Sequence, residues 1–173
     1  MACSDEYDYV AILHGDNQAI TSELNNLIDL AENDPKLDAI MGARFLPAST
    51  LIGYSLLRIY GNKVINLVYS LLSFKRIHDL GSGLNLFKVS FIKKINYLDC
   101  NSSLTFNMDL LLEMIKKRGN FIYTPITWRE EDQVSNARIF DIGSRSLLQL
   151  FKWRIGQRKP AFTTKLLTTP YKA

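Results

Sequence analysis

Five apolar residues, Tyr9 to Leu13, run directly into five small or polar ones, His14, Gly15, Asp16, Asn17 and Gln18. An apolar run that short, bounded by turn formers, predicts a buried strand rather than half a helix. Ligands of open α/β sheets bind where loops leave the carboxyl ends of strands, so His14 to Gln18 form a candidate site. The next segment, "TSELNNLIDLAEN", places apolar residues at Leu24, Leu27, Ile28 and Ala31 behind Thr21 or Ser22 as an N-cap, which predicts an amphipathic helix from about Ser22 to Glu32. "LDAIMGARF" then predicts a second strand at Ala39 to Met41, running into a loop that carries Gly42 and Arg44. Strand, helix and strand in this order predict a βαβ unit whose two strands are parallel neighbours, with His14–Gln18 and Gly42–Arg44 close in space.

Farther along, a helix is predicted from about Tyr54 to Phe74. Gly81 and Gly83 predict a sharp turn between Asp79 and a strand at Leu84 to Phe87. "LTFNMDLLLEMIKKRGN" predicts a second strong helix with Phe106, Leu110, Leu111 and Met114 on its apolar face and Gly119 as C-cap. "FIYTPITW" predicts a strand at a sheet edge or bulge, because of Pro125. "REEDQVSNARIFDIG" reads as a charged loop, Ser146 to Arg154 as a final amphipathic helix, and residues 157–173 as a basic tail beyond a domain spanning 1–156.

The helix around "LIGYSLLRIYGNKVINLVYSLLSF" changes the picture most. Leu56, Leu57, Tyr60, Val64, Leu67, Val68, Leu71 and Leu72 recur near helical spacing, and the simpler expectation for such a stripe is core packing. Peripheral attachment to a membrane through that face is the alternative. Arg58, Asn62, Lys63 and Asn66 interrupt the stretch, which argues against a transmembrane span. Asp5, Glu6 and Asp8 stand where a secretory signal needs a basic region and an apolar core, so the expectation is a chain that begins inside the cell. Cys3 and Cys100 form no metal or disulfide pattern and fit a reducing compartment. With 173 residues, 47% hydrophobic and 22% charged, one packed domain accounts for the composition. A net charge of +4, without aromatics interleaved among the basic residues, argues against a nucleic-acid partner.

Five short segments then line up: "HGDNQ" at the first strand tip, "GARF", "RIYGN", "DLGSG", and "PITWR". In this order they resemble the Asp-x-Asp-x-Gln, Gly-Ser-Arg-aromatic, Arg with Gly-Asn, Asp-x-x-Ser-Gly and Pro-Ile-to-Arg motifs of the family-2 glycosyltransferases, in the branch containing dolichyl-phosphate mannosyltransferase. The resemblance covers most of the chain and implies an α/β fold, a partial GT-A (Rossmann-like) sheet with flanking helices. It implies a divalent cation, magnesium or manganese, held by Asp16, with Gln18 through its amide or a water and His14 where the family more often has an Asp. Oxygen ligands on a strand-end loop suit such ions. It implies that Arg44, Arg58, Ser82 and Arg129 contact the donor diphosphate or an acceptor phosphate, for which the arginine fork is suited. Asp79 would orient the acceptor or act as general base. His78 reads as structural, and "REEDQVSN" as a loop that closes over the diphosphate.

The implied partners are a nucleotide-sugar donor and a lipid phosphate or glycan acceptor, and the implied location is cytoplasmic or peripheral at the inner face of a membrane. Motifs of the family's nucleotide-binding half are not found in the chain. The expectation is therefore a truncated domain completed by another polypeptide, or else a non-catalytic remnant or accessory domain that binds a partner protein, polyprenyl phosphate or a membrane surface. Without the resemblance, Asp16 to Gln18 read as a solvated turn and the arginines as surface ion pairs.

Overall fold

The computed structural model describes residues 6–95, 97, 100, 105–130 and 137–156. "REEDQVSN" beyond Glu130, Cys3 and the basic tail lie outside them. The chain is mixed α/β. In order, it forms β1 (Tyr9–Leu13), a 3₁₀ turn (Thr21–Glu23) leading into α1 (Leu24–Asn33), β2 (Ala39–Ala43), β3 (Thr50–Ile52) and α2 (Leu56–Ser73). β4 (Leu84–Lys88), α3 (Val89–Ile92), α4 (Phe106–Lys116), β5 (Phe121–Pro125), β6 (Thr127–Arg129) and α5 (Ala137–Arg154) complete it.

Four strands make a mixed sheet in the order β1-β4-β2-β5, and β3 pairs with β6 in a small parallel sheet. β4 is antiparallel to both β1 and β2, so β1 and β2 run in the same direction but are not neighbours. This corrects the adjacent βαβ pair expected from the sequence. The physical reason is burial: Leu84 to Phe87 are buried on both faces, as a central strand requires, whereas β1 is half exposed, as suits an edge. β2 takes its parallel neighbour from β5 instead, over the register Ala39–Phe121 to Ala43–Pro125.

Strand alternation sorts the core onto two faces of the sheet. Ile40, Leu84 and Leu86 pack with Leu27 and Ala31 of α1, and with Ile126 and Trp128. Ala39, Met41 and Phe87 pack with Tyr69 of α2, Leu111 and Met114 of α4, and Leu150 of α5. The expected side-chain cap on α1 is absent; Glu23 instead accepts the Thr127 amide through both carboxylate oxygens at 3.1 and 2.9 Å, tying α1 to β6. At the end of α4 it is Arg118, not Gly119, that takes the left-handed conformation.

α5 starts at Ala137, so much of the segment read as a loop is helical. Gly143, within that segment, sits where α5 crosses α2; a β-carbon on it would lie 3.2 Å from Cδ1 of Ile65. The small residue lets the two helices approach closely. No helix among the described residues is long and apolar enough to cross a membrane.

Candidate functional site

The antiparallel insertion of β4 brings its amino end beside the carboxyl ends of β1, β2 and β5. Leu13 pairs with Leu84, and Met41 with Asn85. Loops carrying four of the five motif segments therefore leave one end of the sheet, and the fifth, on α2, reaches the same group through Arg58.

At the tip of β1, the His14 amide donates to the Gly83 carbonyl at 2.9 Å, and the imidazole packs against Gly83. A β-carbon on Gly83 would stand 2.5 Å from Cγ of His14, so the "DLGSG" turn is shaped to this ring. Nδ1 of His14 is 4.0 Å from Oδ2 of Asp16, and both side chains are about 40% exposed. The other Asp16 oxygen accepts the Gln18 amide at 3.2 Å, closing the loop, while Asn17 takes a left-handed φ of 58° that asparagine tolerates. The Gln18 carbonyl accepts the Arg129 amide at 2.8 Å, and Ala19 bridges to Trp128. The "HGDNQ" loop is thereby joined to the "PITWR" strand.

A divalent ion with ligands at about 2.1 Å spans donor atoms up to about 4.2 Å apart. His14 and Asp16 lie within that span, and adjacent ligands of an octahedral ion, about 3 Å apart, would require the two side chains to draw closer. Among the described residues no three His, Cys, Asp or Glu side chains form a metal-binding group, so the remaining ligands of such an ion would be the Gln18 amide, water and substrate oxygens. Asn107, at the start of α4, lies 3.5 Å from Nε2 of His14 and donates to the Ser82 carbonyl at 3.4 Å. Sequence reading passed over it because a single Asn at a helix start looks like capping. The Ser82 hydroxyl turns inward and donates to Oδ1 of the buried Asn85 at 3.2 Å.

Arg44 and Asp79, expected to contact phosphate and to orient an acceptor or act as base, bind each other instead. The Asp79 carboxylate accepts from the Arg44 amide at 2.9 Å and from its Nε and Nη2 at 2.8 Å each; the Gly81 amide donates to it at 2.9 Å. Arg44 is 8% exposed and Asp79 2%. Burial alone would lower the Arg44 pKa, but the charge of Asp79 and its hydrogen bonds outweigh that and raise it above the ordinary guanidinium value. The third side of the Arg44 fork donates to the Tyr54 hydroxyl at 3.3 Å, and its plane lies 5.1 Å from the rings of Phe45 and Trp128.

Tyr54 also accepts from Asn62 at 3.1 Å, and Arg58 lies over its ring at 5.4 Å. Nη1 of Arg58 is paired with Glu130. These arginines hold acidic partners, while Arg129 stands exposed beside the "HGDNQ" loop. Tyr54, Trp128 and Glu130 were not singled out in the sequence, although "PITWR" contains Trp128. His78 packs edge-on against Tyr123 at 5.3 Å, and burial followed by the charge of Arg76 lowers its pKa, in keeping with a structural role. No protein-family profile matches the chain, and no curated protein matches it at a significant level.

Gly83→Ala is expected to displace the His14 ring at a cost of about 1–3 kcal/mol, because the new methyl group meets Cβ and Cγ of His14 rather than a flexible tip. Urea denaturation measures the cost; a variant as stable as the parent would show that the ring is not held there.

Proposed function

We propose that the chain is the metal-, diphosphate- and acceptor-binding part of a GT-A glycosyltransferase, related to the family-2 enzymes, that transfers a sugar with inversion from a nucleotide diphosphate to a lipid phosphate or glycan. The single observation supporting this reading is convergence: five segments spread from His14 to Arg129 join one connected group at the end of the sheet, linked through Gly83, Gln18, Trp128, Arg44 and Tyr54.

In this reading His14, Asp16 and Gln18 hold the divalent cation, whose contribution when bound is to offset charge growing on the departing diphosphate. Arg129 and the unpaired side of the Arg58 guanidinium contact phosphate oxygens. The Arg44–Asp79 pair acts as a brace that holds the "DLGSG" turn, and with it Ser82 and Gly83, against His14. An acceptor oxygen attacks the anomeric carbon as the bond to the diphosphate breaks, and the nucleoside diphosphate leaves with the bonding electron pair. A phosphate acceptor is already an anion and needs no base, which agrees with an Asp79 whose carboxylate is fully engaged. Such a protein works in the cytoplasm at the inner face of a membrane.

A second reading, a binding domain without catalysis, is favoured by the same pair, since Arg44 and Asp79 satisfy each other and offer a substrate little. Manganese with inorganic pyrophosphate separates the two. The transfer reading expects the paramagnetic ion to broaden the backbone amide signals of His14, Asp16 and Gly83 in solution NMR, and Asp16→Ala to abolish the effect. Broadening confined to other residues, or unchanged in the variant, would overturn it.

A further inference from the structure

α2 turns a mixed face inward, with Ile65, Val68 and Tyr69 against the core and Asn66 and Ser70 beside them. Asn66 is buried and donates to the His78 carbonyl at 2.8 Å; Ser70 donates to the Asn66 carbonyl and accepts the Ile77 amide; Tyr69 is buried and donates to the Ser146 carbonyl of α5 at 2.8 Å. The opposite ridge, Leu57, Tyr60, Val64, Leu67, Leu71 and Phe74, repeats every three or four residues, and every member is more than half exposed. The core-packing expectation for this stripe holds for Val68, which with Ile65 and Tyr69 packs against the core, and is corrected for the outer ridge, which faces away from the protein. Beside it, Leu148 and Phe151 of α5 are also more than half exposed. A monomer rarely leaves so continuous an apolar strip uncovered unless something docks there.

Phe74 adds an independent sign. It caps α2 in the left-handed conformation, with φ 55°, where glycine is the strain-free choice, and it is 79% exposed with Arg154 of α5 stacked 5.3 Å from its ring. A strained aromatic held outward at a helix end is a feature the fold does not need for its own packing.

Charge decides the occupant. From Tyr54 to His78, and again from Gly143 to Gly156, the sequence has no Asp or Glu. Lys63, Lys75, Arg76, Lys152 and Arg154 are all exposed on these segments. A second copy of the same face would oppose cations with cations. An anionic lipid surface matches both features, taking the aliphatic ridge among acyl chains and the lysines and arginines among phosphates. We propose that the outer ridge of α2, together with the exposed apolar residues of α5, seats the protein on an anionic lipid bilayer. The inference gives the membrane location in the proposed function its contact surface, but it is drawn from α2 and α5 and not from the candidate site, to which Arg58 links the same helix.

The test is flotation of the full chain with phosphatidylcholine vesicles, with and without about one third phosphatidylglycerol. Binding is expected to be about tenfold or more stronger on the anionic vesicles and to weaken at about 1 M salt, where the screening length falls to about 3 Å. Val64→Glu with Leu67→Glu and Leu71→Glu changes only exposed positions, so the variant should keep its circular dichroism and its manganese-dependent NMR broadening while losing vesicle binding. Phe74→Gly should keep the fold and bind more weakly. A chain that remains in the aqueous phase with both vesicles, or a triple variant that floats as well as the parent, overturns the proposal. So does lipid-independent dimerisation that the triple variant abolishes, which would assign the ridge to a second copy. Loss of manganese broadening with vesicle binding intact would count against the transfer reading alone.

Discussion

Asp79→Asn is expected to destabilise the chain by about 3–5 kcal/mol, the range for removing one partner of a buried ion pair. The carboxylate accepts four hydrogen bonds, three of them from Arg44. An asparagine amide would turn a donor toward some of these donors and leave the guanidinium charged in a site that water barely reaches. Arg44 cannot escape by losing its proton, because its pKa is raised above an ordinary value that already lies far above neutral. Urea denaturation of parent and variant measures the difference. The paired variant Arg44→Met with Asp79→Leu should be much closer to the parent than either single change, because it removes both charges together. A loss below about 1 kcal/mol for Asp79→Asn would mean that the pair behaves as a surface bridge and that the "DLGSG" turn is held by something else.

The elements with a long, clear period were legible in the sequence, whereas those whose identity depends on neighbours were not. α1, α2 and α4 carry enough turns for their spacing to speak, and β1 and β5 are bounded by turn residues. β3 and β6 have three residues each, too few for any alternation, and they exist because they pair with each other. The central place of β4 could not be read, since an apolar run of four residues looks the same whether its neighbours lie on one side or both. α2 shows the limit of periodicity most plainly: a stripe fixes that one face differs from the other but not which face meets the core, and here the hydrogen bonds of Asn66, Ser70 and Tyr69 settle the orientation.

Site residues divide in the same way. His14, Asp16 and Gln18 stand out in the sequence because polar residues directly after a strand are hard to explain by packing, and the structure places them on the loop that leaves β1. Arg44 and Asp79 stand out separately, one as a phosphate ligand and one as an orienting group or base, but a sequence does not show that two charged groups thirty-five positions apart spend their hydrogen bonds on each other. Asn107 and Tyr54 were illegible, since each gains its meaning only from the ring or guanidinium beside it.

The other large effect concerns transfer itself. β1 bonds to β4 through Asp8 and His14, so by alternation the backbone groups of Tyr9, Ala11 and Leu13 point to the sheet's outer edge, where no strand pairs with them among the described residues. A nucleotide-binding half of the kind the resemblance implies would adjoin that edge and place a donor diphosphate beside His14 and Asp16. Base and ribose contacts would then come from that half. The chain alone should bind uridine or guanosine diphosphate sugars no tighter than about millimolar, equivalent to roughly 4 kcal/mol, in calorimetry with manganese. Joined to such a half, the same titration should tighten and transfer should be measurable, and Asp16→Ala should then lower transfer about 100-fold or more by removing the carboxylate proposed to hold the cation. Asp16 is exposed, so the melting temperature of the variant should barely move. Unchanged transfer in the Asp16→Ala form would remove the metal from this loop, and tight manganese-dependent donor binding by the 173-residue chain alone would place the nucleotide somewhere other than beyond β1.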